Sequence, residues 1–475
     1  MSDVAAPPTT ALTFPPIIQG GMGIGVSNWR LARSVSMAGH LGVVSGTAID
    51  TVLVRRLQDG DPGGHVRRAM AHFPMPGVAD AVLGRYFLED GRPEDTPYAL
   101  VPMYRRRMTR SRVELAMLSA FVEVWLAKEG HRQPVGINLL TKVQMPNLVL
   151  LYGAMLAGVD AILMGAGIPR DIPGALNQLA EHQPAALKLD VVGQARGEES
   201  LLTLDPSEHW DTLPAPLHRP AFLAIVSSHS LATMMARKAS GQVDGFIVEA
   251  PTAGGHNAPP RGAMKLDDEG EPIYGDRDAV DLSVLRDLGL PFWLAGGAGH
   301  PDRLRDALDA GAHGIQVGTL FAYCEESGFT PDVKRRVLDR VVRGELAIRT
   351  DPFVSPTGYP FKVVQLDEDD APARERVCDI GGLRVAYPTD RGTLGYRCPA
   401  EPVDDYVRKG GEATDTEGRS CLCNALLSVV GQPQVRACGA EPPLITSGDE
   451  LAAMGPFLAG RTQYSARDVL DWLVA

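Results

Sequence analysis

The stretch Gly245-Phe-Ile-Val-Glu-Ala-Pro-Thr-Ala-Gly-Gly-His-Asn257 carries the reading of the whole chain. Phe246 to Val248 form a short apolar run of the kind a fully buried parallel strand needs. Glu249 through Asn257 then bring a carboxylate, glycines and an imidazole together at its C-terminal end, the place where a barrel enzyme does its chemistry. Gly254 and Gly255 lack a Cβ, so their N–H groups can approach a phosphate closely, and His256 can exchange protons near neutral pH. In isolation, a tight Ala-Gly-Gly turn followed by a surface histidine accounts for the stretch equally well.

The context weighs against that plain turn. Phe14-Pro-Pro-Ile-Ile-Gln-Gly-Gly-Met-Gly-Ile-Gly25 reads as a short strand entering a glycine-rich loop, after which Ser27 or Asn28 can cap a helix through Met37. Leu41-Gly-Val-Val-Ser-Gly46 is a second strand. The cadence of helix, small residue, glycine and apolar strand recurs over residues 155–165, 238–249 and 308–318. Further strand candidates lie at residues 134–139, 185–191, 221–226 and 291–295. These are nine runs for the eight places of a (β/α)8 TIM barrel, so one lies outside the ring. Residues 185–191 are the ones to remove, because they lead into a polar, proline-containing stretch at 193–220 that reads as a loop insertion. A doubly wound sheet is the competing architecture. It is disfavoured because the glycine turns recur along the chain and Gly20–Gly25 lacks the spacing of a dinucleotide fingerprint.

The expected organisation is a barrel over residues 12–350, interrupted after strand 2 by a helical insertion over 59–130, and a Cys-containing C-terminal extension over 351–475 packed on the barrel. Helices are expected near residues 64–71, 78–88, 112–128 and, amphipathic, 466–473. Tyr104-Arg-Arg-Arg-Met-Thr-Arg110 is a basic run whose plainest reading is a solvated face, the other being a hold on an anionic substrate or carrier.

The 475 residues carry a formal net charge of -12 with no basic block, which argues against a nucleic-acid groove and for a small ligand. The first sixteen residues show no export signal and no segment could span a bilayer, so a cytoplasmic protein with no membrane association is expected. Cys324, Cys378, Cys398, Cys421, Cys423 and Cys438 are then reduced thiols. Cys421 and Cys423 could recruit zinc with a third cysteine, but paired Cys-x-x-Cys knuckles are absent and no metal is expected. A homodimer is compatible with the sequence, which sets no oligomeric state.

Phe292-Trp-Leu-Ala-Gly-Gly-Ala-Gly-His-Pro301 is another strand-to-glycine turn, with Pro301 at the first position of a helix whose N-terminus can face an anion. With Gly318-Thr319 after the next strand, these turns make a phosphate site of backbone N–H groups. Across the ring, Gln19-Gly-Gly-Met22 and Asn138 offer polar groups to a planar heterocycle, although Asn138 could equally cap a loop. A phosphate cradle at one side and flat-ring contacts at the other suggest flavin mononucleotide (FMN).

Pro16-Ile-Ile-Gln-Gly-Gly-Met, Gly136-Ile-Asn-Leu, Ala253-Gly-Gly-His, Ala295-Gly-Gly and Gly314-Ile-Gln-Val-Gly-Thr, taken in order, resemble the nitronate monooxygenase family and its relatives, the flavin-dependent enoyl-acyl carrier protein reductases. The resemblance implies an FMN-binding barrel in which Gly20, Gly21, Met22 and Asn138 touch the isoalloxazine, with Gln19 and Glu249 also among the cofactor-binding residues. It implies Gly254, Gly255, Gly296, Gly297, Gly318 and Thr319 about the phosphate, and His256 as the catalytic base. Many nitronate monooxygenases carry Gln at the end of the seventh strand; this chain has Glu249, as the reductase branch does. The implied reaction is oxidation of an alkyl nitronate or nitroalkane with O2 to a carbonyl compound and nitrite. The alternatives are an NAD(P)H-dependent enoyl thioester reductase, for which an arginine such as Arg105 would receive an acidic carrier, and, last, a flavin binder without catalysis.

Overall fold

In a computed structural model of the chain, residues 14–195, 197–366 and 374–475 are described. Residues 1–13, which include the start of the expected barrel range and most of the stretch read for an export signal, lie outside them, as do Arg196 of the 193–220 stretch and residues 367–373 of the extension.

Eight parallel strands form the central sheet: β1 (Ile17–Gln19), β2 (Gly42–Ser45), β3 (Val135–Leu140), β4 (Ala161–Gly165), β5 (Ala221–Val226), β6 (Gly245–Glu249), β7 (Phe292–Ala295) and β8 (Gly314–Val317). Each pairs with the next, and β8 pairs with β1 through Ile17↔Ile315 and Ile18↔Gln316. The ring closes between β1 and β2, where Gln19 N–H donates to Leu41 O at 2.9 Å and Leu41 N–H donates to Ile17 O at 3.2 Å. Closed order, parallel strands and intervening helices make this a (β/α)8 barrel.

Apolar residues on both faces explain why the strands read as continuous hydrophobic runs. Ile18, Val43, Leu163, Leu223, Ile247 and Trp293 pack inside the ring with Phe14. Their neighbours Ile17, Val44, Ile162, Phe222, Phe246 and Ile315 pack outward in the larger cluster shared with the helices. The bottom of the barrel is closed by the segment before β1, where Trp293 Nε1 donates to Pro15 O at 3.1 Å and Phe14 meets the Trp293 ring edge-on.

Local signals hold where they name a physical group. Asn28 caps the helix Trp29–Met37, its Oδ1 accepting from Arg30 N at 2.8 Å and Leu31 N at 3.1 Å. Pro301 opens the helix Pro301–Asp309. The helix Ala466–Leu473 is capped by Ser465 and Asp468 and packs against those two helices.

Three expectations change. Residues 185–191 do stand outside the ring, but Ala185–Leu189 pairs antiparallel with Ser200–Leu204, so the 193–220 stretch contains a strand rather than loop alone. Both strands alternate buried and exposed residues, the mark of a ribbon with one face on the protein. Secondly, the strand ending at Glu249 is the sixth of the ring, as the count without residues 185–191 requires, and not the seventh. Thirdly, the 59–130 stretch contains His65–Met70 and Val78–Tyr86, but also Arg110–Lys128, which packs along Trp29–Met37 and Asn147–Leu156 as the barrel's own crossover helix before β3.

After β8 the chain forms an antiparallel pair, β9 (Ala347–Asp351) and β10 (Phe361–Gln365). The start of β10 clasps the loop after β6: Asn257 N–H donates to Pro360 O at 2.9 Å and Lys362 N–H donates to Gly255 O at 3.0 Å.

Barrel closure depends on Gly314, where an added Cβ would lie 1.8 Å from Pro16 O. A backbone carbonyl cannot rotate away, so Gly314→Ala is expected to lose about 3 kcal/mol or more. Gly84, inside Val78–Tyr86, has open space around its missing Cβ, and Gly84→Ala should gain about 1 kcal/mol. Urea midpoints of the two variants moving in the same direction would contradict this account of closure.

Candidate active site

At the C-terminal mouth of the barrel lies a cavity of about 270 Å³. Gly20, Gly21, Met22, Asn138, Glu249, Gly254, Gly255, His256, Gly296, Gly297, Gly318 and Thr319 all line it. The turns after β6, β7 and β8 therefore converge on one space. Gln19 is not among the lining residues. Its amide braces the β1–β2 junction, donating to Gly20 O, to Ser27 Oγ at 2.8 Å and to Val43 O at 3.3 Å, and accepting from Val43 N at 3.1 Å.

Register places the polar side chains. Paired residues of a parallel sheet share a face, and Glu249↔Ala295↔Gln316↔Ile18 run in register with the inward-facing Ile18 and Ala295. Asn138 pairs with the inward-facing Leu163. Asn138, Glu249 and Gln316 thus form a polar layer above the apolar plug. Asn138 Oδ1 and Gln316 Oε1 are buried without a hydrogen-bond partner in the protein, which is how a site appears when its ligand supplies the donors. Gly21 lets the loop after β1 cross this layer, since a Cβ there would lie 2.3 Å from Asn138 Cβ. These features fit a planar heterocycle rich in N–H and carbonyl groups.

The corner where the three glycine turns meet is more occupied than the glycines alone suggest. Gly296 and Gly297 adopt φ of 89° and 66°, the left-handed region glycine reaches without strain. Segment 446–450 of the extension lies across the corner: Gly255 N–H donates to Thr446 Oγ1 at 2.8 Å, Gly448 N–H to Thr319 Oγ1 at 3.1 Å, and Gly299 N–H to Glu450 Oε2 at 2.8 Å. Burial raises the Glu450 carboxyl above its usual range, against the hydrogen bonds it accepts. A phosphate would share this corner with Ser447, 4% exposed and also in the cavity wall.

His256 Nε2 lies 2.6 Å from Ser355 Oγ, which is 2.8 Å from Thr357 Oγ1, and the edge of Phe361 meets the imidazole at 4.8 Å between centroids. Burial lowers the imidazole pKa to about 4. The same cause raises Glu249 to about 7. Both groups are therefore uncharged over most of the range between those values.

The arginine in the cavity wall is Arg112 of the crossover helix, not Arg105, Arg106 or Arg107, which are exposed. Cys423 reaches the wall; Cys421 beside it is lowered to about 7 by its hydrogen bond to Cys423, against burial. No group of three His, Cys, Asp or Glu among the described residues is arranged to hold a metal ion.

Residues 188–349 match the nitronate monooxygenase family model. That region contains β5 to β8, all three glycine turns and His256. The resemblance read from the motifs is to this same family, and the match supports an oxidoreductase enzyme. No curated protein matches the chain. Solved structures similar to it include FabK from Thermotoga maritima (15% identity, 98% of this chain and 93% of that one, TM-score 0.49) and nitroalkane oxidase from Streptomyces ansochromogenes (15%, 97% and 95%, 0.45). Another is the enoyl reductase domain of MlnA from the macrolactin biosynthesis cluster of Bacillus amyloliquefaciens (12%, 97% and 95%, 0.46). The barrel assignment itself rests on strand order and closure. Among the described residues no helix is long and apolar enough to cross a membrane.

Glu249 gives a direct test of cavity burial. With its pKa raised from 4.5 to about 7 in the fold, the folded state keeps a proton that the unfolded chain releases over that window. Folding then weakens as pH rises from about 4.5 to 7, by an amount on the order of 2–3 kcal/mol. Glu249→Gln lacks the group, so its stability relative to the parent should climb between pH 5 and pH 8. Parallel denaturation profiles of the two proteins across that range would show that the carboxyl is solvated.

Proposed function

We propose that the chain is an FMN-dependent nitronate monooxygenase, oxidising a nitroalkane or its nitronate with O2 to a carbonyl compound and nitrite. The observation that carries the reading is His256, half-buried, uncharged and held by Ser355 in the same cavity as three glycine turns. FMN fits the orphaned acceptors of Asn138 and Gln316 beside those turns. Gly20, Gly21, Met22, Asn138 and Glu249 would lie about its ring, and Gly254, Gly255, Gly296, Gly297, Gly318 and Thr319 about its phosphate. Bound there, the flavin supplies electron transfer from substrate to dioxygen.

The protein's own part is proton handling and exclusion of water. In the tautomer whose Nε2–H donates to Ser355 Oγ, His256 Nδ1 keeps its lone pair and can take the proton from the carbon bearing the nitro group. A pKa near 4 makes the resting imidazole a weak base. Negative charge developing on the nitro oxygens raises its proton affinity as transfer proceeds, strongly so in a buried site. Phe361 and the extension keep water from levelling that effect.

The reductase reading is favoured by one observation, the Glu249 carboxyl, which is protonated below about pH 7 and can donate a proton inside the cavity. It predicts bleaching of the flavin by NAD(P)H and turnover of an enoyl thioester.

His256→Ala should remain yellow and lose about 10²–10⁴-fold in kcat on the neutral nitroalkane. The loss should be much smaller on preformed nitronate, from which no carbon-bound proton need be removed. Oxygen uptake and nitrite release measure both. Full activity of the variant on the neutral compound would remove His256 from its role, and anaerobic bleaching by NAD(P)H but not by nitronate would move the chain to the reductase reading.

A further inference from the structure

One charged pair in the cavity wall has no part in the chemistry above. Asp50, in the first turn of the helix Ile49–Gln58 after β2, and Arg112, in the first turn of Arg110–Lys128, both line the cavity. They are 2% and 6% exposed. Arg112 Nε donates to Pro102 O at 2.6 Å, Nη2 donates to Asp50 Oδ2, and the guanidinium lies over the Tyr104 ring, 3.7 Å from its centroid. Asp50 Oδ1 accepts from Thr51 N at 2.8 Å. Arg112 Nη1 is buried with no hydrogen bond of good geometry in the protein, and the Tyr104 hydroxyl, which interacts electrostatically with the guanidinium, is likewise buried and unpaired.

A guanidinium gripped on two nitrogens and left open on the third is a built site with one vacancy for an acceptor. Its place follows from the ring: β2 and β6 are four places apart among eight strands, so Arg112 and Asp50 stand across the mouth from His256. The lining also includes the apolar side chains of Val101, Leu150, Ile380, Leu383 and Leu426.

Charge selects the acceptor. Arg112 is the only Lys or Arg among the described residues lining the cavity, and Asp50 already balances it. A carboxylate at Nη1 would bring a second anion into a buried pair with no second cation, which low-dielectric surroundings penalise heavily. A carbonyl oxygen satisfies the open N–H without changing the charge.

We propose that Arg112 Nη1 anchors a neutral carbonyl oxygen, of an amide, ester or thioester, on a substrate whose apolar body spans the cavity and whose reacting carbon lies at His256. The second half of this statement rests on the nitroalkane-oxidising reading; the anchor itself does not.

The test uses the full chain with its flavin bound and the non-reacting ligands hexanamide and hexanoate, with affinity read from perturbation of the flavin absorbance and from thermal shift. Hexanamide should bind at least about tenfold more tightly than hexanoate. Asp50→Asn frees the arginine charge and should reverse that order. Because it also breaks a buried pair, a second variant carries Arg112→Met together with Asp50→Asn, which removes both charges and should weaken hexanamide about tenfold. Equal or tighter binding of hexanoate to the parent, or undiminished hexanamide binding by the double variant, would overturn the anchor. 6-Nitrohexanamide should likewise surpass 6-nitrohexanoate in kcat/KM. Absence of nitrite from every nitro compound, with the ligand order intact, would sink the nitroalkane reading and leave the anchor standing.

Discussion

Two backbone hydrogen bonds between the loop after β6 and the start of β10, Asn257 to Pro360 and Lys362 to Gly255, hold the site together. Barrel geometry brings Gly254, Gly255 and His256 to the mouth but leaves their loop facing solvent. The clasp sets Phe361 against the imidazole and Ser355 on its Nε2. It also aligns the extension so that Thr446 and Glu450 reach the amides of Gly255 and Gly299. A histidine on an open barrel rim would titrate near its ordinary value. This one is held uncharged because residues about a hundred positions further along the chain cover it.

That dependence explains which parts of the site were legible. Glycine after a strand is a local signal, so the turns at Gly254, Gly296 and Gly318 and the histidine beside the first could be named from their immediate neighbours, and the cavity gathers them. Asn138 was legible as a polar residue in an apolar run. Gln316, in the quoted Gly314-Ile-Gln-Val, gave the same signal and was passed over, although alternation along β8 would have turned it inward. Ser355, Thr446 and Glu450 lie 99, 191 and 151 residues from the groups they touch, and nothing in their neighbourhoods reports such a contact. The basic run drew attention to Arg105 through Arg107, which are solvated. Arg112, two positions beyond the run's end, turns inward because helical phase, not local charge density, decides burial.

The same division runs through the fold. Closed order and strand placement follow from runs of β-branched and aliphatic residues bounded by glycine. The Ala185–Leu189 and Ser200–Leu204 ribbon was only half visible, because Ser-Leu-Leu-Thr-Leu amid polar residues carries a weak alternation that tertiary burial on one face completes. Gln19 shows the converse case. Its position beside two loop glycines marks it as a ligand contact, yet four hydrogen bonds to the β1–β2 junction commit its amide to closing the ring.

One pleat above Ile247 and Trp293 the barrel changes from apolar to polar without becoming charged. Glu249 and His256 are shifted by the same cause in opposite directions, the acid upward and the base downward, so that burial leaves both neutral at a pH where the same groups in water would both be charged. Asp50 cancels Arg112 on the opposite wall. A cavity that suppresses its own charge has little with which to hold an anion except backbone N–H groups, and those are gathered at the glycine corner. Elsewhere it favours ligands that arrive neutral and become charged only in reaction. In such surroundings a carboxyl that can give a proton and an imidazole that can take one are most effective, because the charge they create meets no competing countercharge and little water.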